Sequence, residues 1–180
     1  CQFIGCDFAG CDVGPGIVEE CLIDGAKLWN HSQTEGTAFK HVTVRGNVNK
    51  LMITPYVDIG GHFPDVQRKF DEANLEYYKN VDWALDISEG LFNDCDIRGV
   101  PSHLIIRDPE TQVVLTREKA LQGKWKDLDL SGTHWPILID VFLEDGYEDC
   151  VLVAPKKARN FTRVLEGINK LRDAGVVEPD

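Results

Sequence analysis

The most reactive side chains in this sequence are six cysteines, and four of them fall within the first 21 residues. A thiolate is a nucleophile, a metal ligand or half of a disulfide, so this clustering indicates a local disulfide framework, a metal site or a set of free thiols. The spacing C-x4-C-x4-C-x9-C lacks the C-x2-C pairs of common zinc folds. We therefore predict at least one disulfide. Three alternatives stay open: a metal site to which His31 contributes, a set of free thiols, or a degenerate five-residue repeat. The four residues are Cys1, Cys6, Cys11 and Cys21.

Other residues with chemical potential have simpler interpretations. His62 and His103 could meet as an acid–base pair or metal site, but two separate surface histidines are the default reading. Asp58 is interpreted as a solvated loop charge, and Cys95 as a buried structural thiol near the end of a short helix. The sequence contains no phosphate loop, nucleophile elbow or metalloprotease motif.

Composition narrows the class of protein. With 180 residues, 43% apolar and 27% charged, the chain predicts one globular domain with extensions. A net charge of −11 opposes binding to nucleic acid or to an anionic membrane surface. No run of about eighteen apolar residues is present, so no transmembrane segment is expected.

The first residue and two sequons bear on the compartment. Residue 1 is Cys, which predicts a processed chain or one that begins at an internal point. The sequons Asn30-His31-Ser32 and Asn160-Phe161-Thr162 slightly favour an oxidising compartment or organelle.

The stretch 95–115 predicts the centre of the fold. Two strand-like runs, 102–107 and 112–116, flank an Asp-Pro-Glu-Thr turn, which predicts a β-hairpin. Pro101 directly precedes the first run, where a central strand should not hold a proline. We therefore predict a cis peptide bond between Val100 and Pro101.

Hydrophobic periodicity predicts the remaining elements. The expected strands are 42–44, 50–54 and 81–87, with a turn at 45–47. The expected helices are 64–77, 88–95 and 156–174, the last with an apolar stripe of Phe161, Val164, Leu165, Ile168 and Leu171. A second hairpin is predicted from 137–143 and 149–153, and the tail 176–180 is expected to fray.

The Gly99-Val100-Pro101 turn before a hairpin, with the Asp-, Gly- and Pro-containing segment 127–136 after it, resembles the thioredoxin superfamily, in particular nucleoredoxin- and tryparedoxin-like domains. The resemblance covers 42–136. It implies an α/β fold with a thioredoxin-like mixed sheet flanked by helices. A Cys-rich arm at 1–41 and a β-β-α extension at 137–180 would then be additions to that core.

The resemblance also implies where redox chemistry should lie. A thioredoxin-type enzyme needs two cysteines at the start of the helix after the main strand, at about Tyr56 and Ile59 in this chain. No cysteine lies between Cys21 and Cys95. We therefore predict a redox-inactive binding or structural module that has no cofactor and no metal. Such a module would be a subunit of a larger protein assembly, and docking on a membrane complex is compatible with this role. Its predicted docking surface comprises Tyr56, Asp58, Ile59, His62, Pro101 and Ser102.

Two other functions stay open at this stage. The first is a thiol–disulfide oxidoreductase that uses the arm cysteines against the Pro101 surface. The second is a metal-binding protein that uses Cys1, Cys6, Cys11, Cys21 and His31.

Overall fold

The computed structural model describes residues 1–8, 11–27, 33–58, 61 and 63–178. These residues form a mixed α/β protein in which nine strands join one sheet and four α-helices accompany it. The strands are β1 (Gln2–Ile4), β2 (Ile17–Asp24), β3 (Thr34–Glu35), β4 (Ala38–Thr54), β5 (Leu85–Asp86), β6 (Gly90–Ile97), β7 (Ile105–Ile106), β8 (Gln112–Thr116) and β9 (Asp149–Val153); the helices are α1 (Pro64–Tyr78), α2 (Arg117–Leu121), α3 (Trp135–Asp145) and α4 (Phe161–Asp173).

The N-terminal strands stack in parallel as successive coils of the chain. Gln2 pairs with Leu22, twenty positions later, and Ile17 pairs with Ala38, twenty-one positions later. Bridges within the connecting segments, such as Asp7 to Lys27, continue the same offset. Cys1 and Cys21 are also twenty positions apart, so they occupy equivalent positions on neighbouring coils. The Cys-rich segment is thereby joined to the sheet through β2 and β4.

One long strand turns a corner between the two halves of the sheet. The first half of β4 pairs with β2 and β5, and its second half pairs with β3 and β6. Gly46 lies at the change, with φ of +71°, a backbone region that glycine enters without steric cost. The prediction of two strands separated by a turn at 45–47 was wrong, because Gly46 bends the strand without ending it.

The β8–β9 pair separates two apolar cores. Val114, Val151 and Val153 pack into the core shared with β4 and β6. Val113, Leu115 and Leu152 point the other way, into a core closed by the helices that follow β8. Side chains alternate between the faces of a strand, so two short strands supply both cores at once.

Helix α3 replaces a predicted strand. The run 137–143 is apolar enough to suit a buried strand, but Pro136 is well tolerated in a first helical turn and Gly146, with φ of +81°, ends the helix. Helical spacing buries Trp135, Ile139 and Phe142. The predicted hairpin of 137–143 with 149–153 was therefore wrong. The strand at 149–153 was confirmed, and it pairs with β8 and β6.

The central hairpin prediction was also wrong. β7 pairs in parallel with β5, and β8 pairs antiparallel with β9, so the runs on either side of the Asp-Pro-Glu-Thr turn join different partners. The described residues contain no cis peptide bond, so the bond before Pro101 is trans. Gly99, with φ of +78°, reverses the chain instead. A 3-10 turn, Ser102–Leu104, then leads into β7.

Four further expectations can be compared with the structure. The helices predicted at 64–77 and 156–174 were confirmed as α1 and α4. The helix predicted at 88–95 was wrong: these residues belong mainly to β6, which pairs with β4. The tail does not fray at Val176 and Val177, which are buried in the helical core.

Candidate functional site

A cleft of about 570 Å³ lies where α1, the turn at 99–101 and the turn that joins α3 to β9 meet. Apolar groups form most of its wall, and four carboxylates stand among them. Three of these carboxylates lie between the last residue of α3 and the first residue of β9, ends included. The residues most relevant to binding are Leu75, Pro101, His103, Tyr147 and the carboxylates Asp71, Asp145, Glu148 and Asp149.

Side-chain hydrogen bonds fasten the walls of the cleft together. Gln67 of α1 accepts a hydrogen bond from the Val57 amide at 2.9 Å and donates one to the Pro55 carbonyl at 2.9 Å. Gly99 lies against Pro55 so closely that an added Cβ would come within 2.7 Å of the proline Cβ. The Ser102 amide donates to Asp149 Oδ1 at 2.9 Å. These contacts join segments that are far apart in sequence and give the cleft a fixed shape.

An ion-pair network supports one wall of the cleft. Arg98 donates to Asp145 Oδ2 at 2.7 Å, and its Nε lies 3.1 Å from Asp96 Oδ2. Burial raises the pKa of Asp96. Burial acts to lower the pKa of Arg98, but the charges of Asp96 and Asp145 raise that pKa overall. Two carboxylates therefore share one guanidinium. The carboxylates favour the charged form of the guanidinium, and the network has one more acidic than basic group.

The structure brings part of the predicted docking surface to this cleft. Pro101 lines it. Tyr56 is exposed, and its hydroxyl donates at 3.1 Å to Asp145, which raises the pKa of Tyr56. Ser102 is buried and lies outside the lining, but its backbone amide donates to Asp149, which belongs to the lining.

The other predicted docking residues are placed differently. Asp58 accepts a hydrogen bond from the Gly61 amide and lies outside the lining of the cleft. Ile59 and His62 fall outside the described residues, as does His31, so the proposed His62–His103 pair also lies outside them.

The predicted disulfide is not present. All six cysteines are free in the structure. Cys1 is exposed while Cys21, its equivalent one coil later, is buried, and the Cys21 thiol donates to the Glu19 carbonyl at 3.2 Å. The Cys6 thiol is directed at the Ile4 carbonyl, 3.7 Å away. Each of these two sulfurs thus faces the backbone of its own coil, not another sulfur.

Metal binding and thiol reactivity both depend on the surroundings of these side chains. Over the described ranges, no group of three or more His, Cys, Asp or Glu side chains is arranged to hold a metal ion. Cys95 and Cys150 are buried, and burial raises the pKa of each thiol. A raised pKa disfavours the reactive thiolate. The six cysteines are also absent from the lining of the cleft.

A second polar cluster joins β2, β4 and the segment before β5, and it was missed by the sequence analysis. His41 Nδ1 lies 2.5 Å from Glu20 Oε1, and His41 Nε2 lies 2.6 Å from Asp82 Oδ1. The hydrogen bonds to Asp82 and then to Glu20 raise the pKa of His41. Its ring also stacks on Trp83, with ring centroids 4.8 Å apart. Both ring nitrogens are engaged, so this arrangement suits a charged clasp between strands better than a proton-transfer catalyst.

The backbone at this clasp is unusual. Glu20 and His41 have φ of +52° and +54°, a region that non-glycine residues seldom enter. They are twenty-one positions apart and lie at the same point of neighbouring coils, between paired residues on either side. The two residues therefore share one local distortion of the stack, and the ion pair crosses it.

A smaller cavity of about 340 Å³ lies beside α4. Its cations already have partners within the chain: Arg163 donates to the Ser131 carbonyl at 2.8 Å, and Lys170 donates to the Asp129 carbonyl at 2.7 Å. Its lining also mixes both signs of charge, since Asp129 and Glu166 accompany the two cations. The cleft beside Pro101 is therefore the better candidate for a binding site.

Sequence reasoning missed all four carboxylates of the cleft. The acidic run around Gly146 is visible in the sequence, but its position depends on α3, which was predicted as a strand. Tyr56 and Asp145 are 89 positions apart. No local pattern brings such residues together, so only the fold reveals that they share a site.

Comparison with protein-family models, curated proteins and solved structures finds no match for this chain. Membership of the thioredoxin superfamily therefore stays a prediction. Among the helices that the structure describes, none has the length and apolar character needed to cross a membrane. What the fold defines is the class: a mixed α/β protein.

Proposed function

We propose that this chain is a protein-binding module that acts without thiol redox chemistry, and that the cleft beside Pro101 is its docking site. The observation that carries the proposal is the placement of Pro101 and Asp145 in one concave, largely apolar lining, with the Tyr56 hydroxyl bonded to Asp145. Clefts of this kind, with a few convergent polar groups, are the usual form of binding sites. Such a module would act as a subunit of a larger assembly.

An exposed leucine strengthens the case for docking. Leu75 lines the cleft and has 62% of its surface accessible to solvent. Pro101 and Val100 stand in the same lining and add apolar area. A partner that covers these groups removes apolar surface from water, which is the general driving force for protein association.

The distribution of thiols argues against the oxidoreductase alternative. Catalysis by thiol exchange needs an accessible thiolate of lowered pKa near the substrate surface. Cys95 and Cys150 have the opposite character, because burial raises the pKa of both. The exposed thiols, Cys1 and Cys11, belong to the N-terminal coils and not to the cleft lining.

Insulin reduction with dithiothreitol tests the redox part of the proposal. We expect the native chain to leave the rate at the level of dithiothreitol alone. A matched variant with Cys1, Cys6 and Cys11 replaced by serine should behave identically. A rate near that of an active thioredoxin, lost in the serine variant, would contradict the proposal and favour the oxidoreductase.

Selection of short random peptides displayed on phage tests the docking part. We expect enriched peptides whose binding is lost in Leu75→Asp and retained in Leu121→Asp. Leu121 is a matched control, since it is also a helical leucine and is 65% exposed but lies outside the cleft. Peptides that bind both variants equally, or no enrichment at all, would refute docking at this cleft.

A further inference from the structure

The lining of the cleft carries more acidic than basic side chains over the described residues. Within the part of the chain that the structure describes, this lining contains Asp71, Asp145, Glu148 and Asp149 but no lysine or arginine. Asp145 shares Arg98 with Asp96. Asp71 and Asp149 accept hydrogen bonds from neutral amides, the Gln67 side chain and the Ser102 backbone. An amide donor stabilises a carboxylate without cancelling its charge, so the field in the cleft stays negative.

Solvent exposure decides which of these carboxylates can meet a ligand. Glu148 is exposed, and Asp71 and Asp149 are half-buried. Across the part of the chain that the structure covers, none of these three forms an ion pair, whereas Asp145 is tied to Arg98. The lining of the cleft also contains His103 and two tyrosines. A cation that enters the cleft would therefore meet Glu148 first.

The apolar wall adds a second requirement for the occupant. Leu75, Val100 and Pro101 lie in the same lining as the carboxylates. Lysine and arginine present an aliphatic stem below the charged group, so one such side chain can satisfy both surfaces. The volume of about 570 Å³ leaves room for a neighbouring apolar side chain as well.

We propose that the cleft binds a basic segment of a partner protein, in which an arginine or lysine faces the carboxylates and an adjacent large apolar side chain rests on Leu75. The inference depends on the proposed docking function and specifies the chemistry of the partner. The net charge of −11 supports it, because an acidic protein attracts a basic segment over a distance and speeds its association.

A pair of capped tripeptides tests the charge requirement directly. Leu-Arg-Leu and Leu-citrulline-Leu differ in the positive charge of one planar side chain and hardly in shape. Amide chemical shifts of the ¹⁵N-labelled full chain are followed at Gly99, Val100 and Gly146, which line the cleft. We expect the arginine peptide to bind at least about tenfold more tightly, with affinity that falls as salt is added.

A variant that lacks one carboxylate tests whether the preference for the arginine peptide arises in the cleft. Glu148→Gln should reduce the preference for arginine severalfold, since the Glu148 side chain is exposed and its removal leaves the fold intact. Glu166→Gln is the matched control: Glu166 is also exposed, but it lines the other cavity. A preference that survives Glu148→Gln unchanged, or that is lost in both variants, would overturn the inference.

Failure of this inference can be told apart from failure of the docking function. If phage-selected peptides bind at the cleft but arginine and citrulline bind equally, the charge requirement is wrong and docking stands. If free arginine amide binds as tightly as the tripeptide, the occupant is a small organic cation and the protein-segment proposal is wrong. If neither tripeptide shifts the cleft amides, the inference is also wrong, and the phage selection then decides the docking function separately.

Discussion

The apolar cores on the two sides of the β8–β9 pair are built by different means. On one side, parallel strands from successive coils lie over one another and bury Val42, Val44 and Phe92. On the other side, three helices close over Trp135, Ile139 and Ile168. The first core depends on pairings across twenty or more residues, and the second depends largely on the apolar faces of single helices.

One histidine lies on each side, and the two histidines are in opposite electrostatic settings. On the strand side, His41 lies between two carboxylates, which favour its charged form. On the helical side, His134 lies beside Trp135, and burial lowers its pKa. Charge on the histidine is thus favoured at the contact between coils, whereas burial beside the helical core disfavours it. The following predictions test how independent the two sides are.

Truncation of one large buried side chain on each side should produce the largest effect. Trp135 and Phe92 are 0% and 1% exposed. Trp135→Ala and Phe92→Ala should each cost about 3–5 kcal/mol of unfolding free energy, because each leaves a cavity. Helical circular dichroism and strand amide exchange should shift together in both variants, since β8 and β9 belong to both cores. If each variant affected only its own side, the two sides would be separate folding units.

Glycine replacement at the bend of β4 should have the next largest effect. Gly46 and Gly123 have φ of +71° and +75°, but an added Cβ at Gly46 would lie 2.7 Å from Asp24 Oδ1, whereas at Gly123 nothing lies within 4 Å. Gly123→Ala should cost about 1–2 kcal/mol for the backbone conformation alone. Gly46→Ala should cost up to about 1 kcal/mol more, because the exposed Asp24–Arg45 ion pair must move.

Urea unfolding midpoints of the two alanine variants provide the measurement. The Gly46 and Gly123 variants share the conformational cost, so the difference between them isolates the crowding at the corner of the sheet. Equal midpoints would show that Asp24 moves aside freely and that the corner tolerates a side chain.

The two histidines should give opposite dependences of stability on pH. Hydrogen bonds to Asp82 and Glu20 raise the folded-state pKa of His41 above 6.5. Its contribution is therefore full below pH 6.5 and is lost as the pH rises through the raised pKa. Burial lowers the folded-state pKa of His134 below 6.5, so stability is lost as the pH falls from 6.5 through the lowered pKa.

Urea midpoints across this pH range, for His41→Gln and His134→Gln, measure these contributions. His41→Gln should remove the loss on the alkaline side, and His134→Gln should remove the loss on the acidic side. If His41→Gln left the alkaline slope unchanged, the clasp between coils would not be charged in solution.

The smallest effect is expected for the exposed leucines. Leu75→Asp and Leu121→Asp should each change the unfolding free energy by no more than about 0.5 kcal/mol, since both side chains are largely in solvent. Thermal unfolding checks this. A large loss confined to Leu75→Asp would mean that the cleft wall supports the fold, and lost peptide binding in that variant would then need a milder replacement, Leu75→Ser.

The sequence analysis succeeded where the deciding pattern lies within one element. The α4 stripe was predicted because amphipathic spacing lies within one helix: Val164, Ile168 and Leu171 are buried. The run 137–143 was misassigned because an apolar run fits a buried strand or a buried helix equally well. The predicted hairpin at 102–116 was wrong because β7 and β8 pair with different strands. The sequence of one strand alone does not determine which strand it pairs with.

The candidate site was predicted in part. Pro101 and Tyr56 were named from a resemblance and lie at the cleft or bonded to its lining. Asp145 and Glu148 were missed, because their approach depends on the direction in which α3 and β9 run. The resemblance therefore identified one lining residue, Pro101, and long-range topology supplied the rest of the lining.

The coil offset has a consequence for how this chain can change length. Residues that stand over one another on neighbouring coils are twenty or twenty-one positions apart, as Gln2 and Leu22 or Ile17 and Ala38 are. Adding or deleting one residue inside β2 would turn Cys21 from the buried face to the exposed face and misalign every pair beyond it. Adding or deleting a whole coil would preserve each facing pair. The N-terminal part of the molecule is therefore built to grow or shrink by complete turns, whereas the helical part, which closes on itself, has no such unit.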